Sequence, residues 1–194
     1  MDKVSYALGL SLGNNLLGSG VKSLNYEQIA KGIQDVMEQK QPEISYQLSQ
    51  TVINDFFQEL QSKVSEQAQS EGKAFLELNA KRTEVVTLES GLQYEIISAG
   101  TGSTPKASDS VKVHYHGMLI DGTVFDSSVN RGEPATFGVT QVISGWVEAL
   151  QLMPVGSKWK LFIPSDLAYG AQGAGQSIAP HSTLVFEVEL LDIV

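Results

Sequence analysis

From Met1 to about Arg82 apolar residues recur at helical spacing, and Pro42 is the only proline in that stretch. The pattern predicts three helices. The first runs from Lys3 to about Leu17, presents Tyr6, Leu10 and Leu17, and stops at Gly18, Ser19 and Gly20. The second starts on Asn25 as N-cap, with Gln28 three residues on, and ends before Pro42; its Glu27 and Lys31 stand at i and i+4 in the favourable order. The third spans about residues 45–82, with no proline and one glycine, Gly72, and would be a rod of about 57 Å. Its Leu48, Val52, Ile53, Phe56, Phe57, Leu60 and Val64 form an apolar stripe that requires other helices to face. Residues 65–73, SEQAQSEGK, are polar all round, the pattern of a helix that bridges two domains through solvent. Phe75, Leu76 and Leu78 then either meet the second domain or stay partly exposed.

Beyond Val86 the period shortens, and alternating β-branched residues appear between Gly, Pro, Ser and Thr. Candidate strands are Leu92–Ser98, Val111–Leu119, Thr136–Val139, Lys158–Pro164 and Thr183–Ile193, with a hairpin turn at Asp121-Gly122. One short helix lies between Gly145 and Leu152, carries Trp146, Ala149 and Leu150 on a face, and is closed by Pro154 and Gly156. The fold class is α+β: a helical domain over residues 1–83, and over residues 84–194 a curved antiparallel sheet wrapped around one short helix. Three helices in about 80 residues make a thin core. A homodimer through these helices would thicken it, and a monomeric helical bundle is the alternative.

Composition narrows the chemistry. A net charge of −9, with no basic run, argues against a nucleic-acid backbone or an anionic membrane surface as partner. Residues 88–194 carry eleven acidic against five basic residues, and residues 1–87 eleven against eight. The absence of cysteine removes disulfides and thiol nucleophiles. No apolar run reaches 18 residues, so no membrane span is expected. The opening MDKVSYALGL lacks the features of a secretory leader and reads as cytoplasmic, or as periplasmic if a leader has been removed.

Familiar catalytic patterns are missing. There is no G-x-S-x-G, GTGSTPK at Gly100–Lys106 lacks the phosphate-loop glycine and hydroxyl, and GAQGAG at Gly170–Gly175 has the wrong spacing for a dinucleotide site. His114 and His116 share a strand face, but His181 is the only other histidine, so ordinary sheet and loop histidines are the better reading and no metal is expected. What remains is a supply of aromatics beside turns: Tyr115, Phe125, Phe137, Trp146, Tyr169 and Phe186. Each alone reads as core. Together with Asp126, Val142 and Ile143 they have the makings of a small apolar cup with a few polar groups.

The strings VHYHGMLIDGTVFDSS, VISGWVEALQLMPVGSKWKLFIPSDLAYG and APHSTLVFEVELLDI resemble, in order and spacing, the FKBP family of prolyl isomerases across residues 88–194. The opening DKVSYALGLSLGNNL and the long helix resemble the N-terminal region of its Mip-like, two-domain bacterial members. The resemblance implies a peptidyl-prolyl cis-trans isomerase that needs no cofactor and acts on proline-containing peptides and unfolded proteins. It also implies a dimer held by the N-terminal helices and a possible site for macrolide inhibitors. By the same resemblance Asp126, Tyr169, Phe186 and Tyr115 are the candidate catalytic residues, and Phe125, Phe137, Val142, Ile143, Trp146 and Ile178 line the substrate pocket. Asp126 would orient Tyr115, polarise the region of the twisted carbonyl, or make a purely structural hydrogen bond. Ala135 stands where the family often has a second Phe, and Ala174, Gln176 and Ser177 replace larger or more apolar residues, so a thinner rim is expected. A non-catalytic chaperone or peptide-binding module using the same pocket is the competing reading.

Overall fold

The computed structural model describes residues 1–194 and divides into two compact units, Met1–Gln61 and Ser62–Val194. The first holds α1 (Lys3–Gly18), α2 (Tyr26–Met37) and the start of α3 (Tyr46–Asn79). Local capping explains where these helices begin. The Asp2 carboxylate accepts from Val4 N–H (3.1 Å), and Asn25 Oδ1 accepts from Gln28 N–H (3.1 Å), as its position in the sequence predicts. Gly20, at φ +85°, turns the chain after α1 in a conformation that favours glycine.

The second unit carries a seven-stranded, wholly antiparallel sheet. Its strands are β1 (Val85–Thr87), β2 (Gln93–Ser98), β3 (Ser110–Leu119), β4 (Val124–Ser127), β5 (Ala135–Gly138), β6 (Lys158–Ile163) and β7 (Leu184–Ile193). The spatial order is β1-β2-β6-β7-β3-β4, with β5 pairing the first half of β3. The two long strands, β3 and β7, form the spine, with Tyr115 opposite Val188 and Gly117 opposite Phe186. Alternation along β3 buries Val111, Val113 and Tyr115 on one face. These pack with Trp146, Ala149 and Leu150 of α5 (Ser144–Leu150), the helix around which the sheet curves. A further turn of helix, α4 (Ser128–Arg131), follows β4. The α+β architecture is the one the sequence predicts; β1, β4 and α4 are additions, each too short to carry a periodic signal, although the Asp121-Gly122 hairpin turn before β4 was expected.

Two expectations change. The sequence reading places the boundary at 83–84, whereas the compact units meet at Gln61 and Ser62, inside α3. The reason is packing of the later α3 residues within the second unit. Phe75 lies 5.9 Å from the Phe162 ring, Asn79 is buried and donates to Gln93 Oε1 (2.8 Å), and Gln93 Nε2 donates to the Leu76 carbonyl (3.0 Å). Nor is 65–73 a free bridge, because Gly72 is buried and a Cβ there would collide with the Thr183 hydroxyl. A single glycine lets an otherwise polar helix lie close to a loop, which a count of polar residues does not reveal.

Candidate functional site

Seven elements or loops bring one to three residues each to a cavity of about 430 Å³, walled by Tyr115, Phe125, Asp126, Phe137, Gln141, Val142, Ile143, Trp146, Tyr169 and Phe186. Trp146, on the first turn of α5, is only 4% exposed and forms the base. Three rings meet it edge to face: Tyr115 at 5.5 Å and 82°, Phe186 at 5.3 Å and 81°, and Phe137 at 6.0 Å and 89°. Phe125 meets Phe186 at 5.5 Å and 83°. Edge-to-face packing of this kind adds directional preference to area burial, so the rings hold one another in place. The result is an apolar bowl of interlocked rings.

Polar groups occupy one wall. The Tyr115 hydroxyl donates to Asp126 Oδ2 (2.5 Å), Arg131 Nη2 donates to the Tyr115 hydroxyl (2.8 Å), and Arg131 Nη1 pairs with Asp126 Oδ1. The guanidinium also lies 5.5 Å from the Tyr115 ring centre. Burial pushes the Asp126 carboxyl upward, but the hydrogen bond from Tyr115, with the hydrogen bond and charge of Arg131, holds it below its ordinary value of 3.8. Burial, and then the neighbouring Asp126 carboxylate, raise the Tyr115 phenol above its ordinary 10.0, although Arg131 opposes them. At neutral pH the wall therefore holds an ionised carboxylate, a protonated phenol and a guanidinium, closed on one another. Such a wall orients a guest and has no free base with which to take a proton.

Ile143 begins α5 by accepting from Trp146 N–H (2.9 Å) and Val147 N–H (3.1 Å) through its carbonyl, leaving its own N–H outside the helix at the bowl wall. Tyr169 stands at the mouth, 39% exposed. Nine of the ten residues expected from the sequence meet here. Ile178 is not among the lining residues; it is buried in the hydrophobic core and bridges Ala174. Arg131 and Gln141 were missed. A carboxylate in a half-exposed apolar wall needs a cation, and Arg131, five residues after Asp126, is the only Lys or Arg between Lys112 and Lys158. Gln141, next to the expected Val142-Ile143 pair, carries no signal of its own.

A family model described as FKBP-type peptidyl-prolyl cis-trans isomerase matches residues 101–191, and one described as the domain amino terminal to FKBP-type peptidyl-prolyl isomerase matches residues 1–96. The chain is 50% identical over 194 residues to the FKBP-type 22 kDa peptidyl-prolyl cis-trans isomerase of Escherichia coli (strain K12), covering 98% of this chain and 94% of that protein. It is 46% identical over 199 residues to the outer membrane protein MIP of Legionella longbeachae, covering 99% and 85% respectively. The crystal structure of FkpA from Escherichia coli superposes with a TM-score of 0.79 at 41% identity, over 98% of this chain and 95% of that one. With the sequence matched nearly end to end, and with an apolar bowl at the heart of the domain, the chain belongs to the FKBP-type peptidyl-prolyl cis-trans isomerase family.

Proposed function

We propose that the Trp146 bowl is where this isomerase turns the X-Pro bond, and that it does so by excluding water from a twisted amide. Rotation breaks amide resonance against a barrier of about 18–20 kcal/mol, while the two end states differ by only about 0.5–1 kcal/mol. A thousandfold acceleration therefore needs about 4 kcal/mol of preference for the twisted form. The twisted amide has less charge separation than the planar one, so a dry aromatic surround penalises it less. The prolyl ring sits on Trp146 between Tyr115, Phe125, Phe137 and Phe186. The Ile143 N–H and the Tyr169 hydroxyl donate to substrate carbonyls and hold the flanking chain. Asp126 acts by fixing the Tyr115 hydroxyl, since the carboxylate is already engaged by Tyr115 and Arg131. The observation that carries this reading is the edge-to-face cage around Trp146. Phe186→Ala and Asp126→Asn, assayed on a proline-containing tetrapeptide, should each lower kcat/KM in a domain that keeps its fold; full activity in both would overturn it.

The same bowl is of ligand-pocket size and suits macrolide inhibitors, whose binding competition with peptide would reveal. A homodimer through the N-terminal unit is part of the proposal. Val21 is the one buried apolar residue of Met1–Gln61, whereas Tyr6, Leu8 and Val52 are 57%, 67% and 53% exposed. An apolar face of that extent requires a cover, and a second copy supplies one with the same face. Two bowls in one dimer would raise the local concentration of prolines for an unfolded client, which is the basis of a chaperone role. Efficiency on a refolding protein that falls when the dimer is split, while peptide turnover persists, is the expected sign. No helix is long and apolar enough to cross a membrane. The cytoplasmic expectation gains no support from the relatives, one of which is by name an outer membrane protein; subcellular fractionation separates cytoplasm from periplasm.

A further inference from the structure

Alternation along β3 puts Tyr115 in the bowl and its neighbours His114 and His116 on the opposite face of the sheet. The two imidazoles are not idle there. His116 Nδ1 lies 2.9 Å from Ser127 Oγ, and His114 Nδ1 lies 3.1 Å from Ser128 Oγ. Both serines are buried, and both belong to the start of α4. Ser127 is its N-cap, accepting from Asn130 N–H (3.1 Å), and Ser128 Oγ accepts from Tyr115 N–H (2.8 Å). The residue before this turn is Asp126, and the residue that ends it is Arg131, so the turn delivers both charged members of the bowl's polar wall.

A four-residue helix has no cooperative stability of its own, so side-chain hydrogen bonds set its position. The β3–β4 ladder alone does not, because its register shifts between Gly117 and Met118, beside the Gly117–Asp126 pair. We propose that His114 and His116 are positioning residues for isomerisation. Through Ser128 and Ser127 they fix the α4 turn so that Arg131 closes on Asp126 and Tyr115, and neither imidazole touches substrate. The inference rests on the reading of the bowl as the catalytic site.

The test uses the full-length protein, with kcat and KM on a proline-containing tetrapeptide and thermal melting for each variant. The variants are His114→Phe, His116→Phe, His116→Asn, Ser127→Ala, Arg131→Ala, the double His116→Phe/Arg131→Ala, and Trp146→Ala. Loss of one such hydrogen bond is expected to lower kcat by about three- to tenfold in either His→Phe variant and in Ser127→Ala, with KM nearly unchanged. His116→Asn, which restores a polar atom near Nδ1, should recover most of the loss, a rescue that general destabilisation would not show. The double variant should be no slower than Arg131→Ala alone, because both changes release the same guanidinium. Full activity in the folded His→Phe and Ser127→Ala variants, multiplying losses in the double variant, or failure of His116→Asn to rescue overturns the proposal. Trp146→Ala separates the two claims. If it is inactive while the histidine variants are normal, the bowl stands and the positioning role falls; if it is fully active, the reading of the bowl falls as well.

Discussion

Gly117→Ala adds one methyl group to the back of the bowl. Gly117 is buried on β3 opposite Phe186, and a Cβ there would stand 2.8 Å from Phe125 Cε2, Phe125 Cζ and Phe186 Cε1. Relaxed carbon contacts are about 3.5–4.0 Å, so both rings must retreat by about 0.7–1.2 Å. Phe186 is already 5.3 Å from Trp146 and edge-on to it, which leaves the cavity as the direction of least resistance. Overpacking of this kind costs about 1–3 kcal/mol, offset by about 0.4–1 kcal/mol because Ala restricts the unfolded chain. The net, about 0–2.6 kcal/mol, lowers the melting temperature by no more than about 10 °C and leaves the protein folded at assay temperature. Displacing two bowl walls by about 1 Å should cost far more in turnover, about 10–100-fold in kcat/KM on a tetrapeptide. Gly32→Ala on α2, where nothing lies within 4 Å of the added Cβ, is the control and should keep peptide kcat/KM unchanged. Unchanged kcat/KM in a stably folded Gly117→Ala protein would refute the claim that these rings shape the site.

Other outcomes follow from the same geometry. The Asp126 carboxyl is held below its ordinary value, so its contribution is fully present above about pH 4 and is lost as pH falls through the lowered value; kcat/KM should show that acid limb, and Asp126→Asn should remove it. The Tyr115 phenol is raised, so its contribution is complete below pH 10 and is lost above the raised value, visible as an ultraviolet phenolate titration displaced to higher pH. Because Phe75 and Asn79 pack within the second unit, a fragment of residues 62–194 should melt well above one of residues 84–194, which exposes Phe162 and leaves Gln93 without Asn79; equal melting would contradict that packing. Light scattering of the full chain should give about 42 kDa, twice 21.0 kDa, and Val52→Asp should bring it to the monomer mass.

The parts of this molecule that repeat were legible in the sequence. Helical spacing located α1 and the start of α2 to within a residue or so, although α2 ends at Met37, short of Pro42; Asn25 caps as expected, and the β-branched, alternating runs located β3 and β7. The aromatics beside turns suggested an apolar cup, and it was the resemblance to the FKBP family that assigned particular residues to it. What escaped notice depends on single contacts between distant segments. Gly72 meeting Thr183 and Asn79 meeting Gln93 attach a polar helix to the sheet's unit, and no periodicity encodes either. Ile178 packs in the core, on a segment that turns back on Ala174. Arg131 was overlooked because a lone arginine in a loop ordinarily reads as solvated surface, and only the proximity of Asp126 and Tyr115 gives it a role.

If the bowl works by favouring a contorted amide, no proton is in flight at the top of the barrier. The most direct measurement is kcat/KM on a tetrapeptide in light and heavy water at matched acidity, with chemistry rather than binding made limiting. The account predicts a ratio close to one. A ratio well above one would show that a proton moves in the rate-limiting step, and rotation in a dry aromatic hollow would no longer explain the turnover.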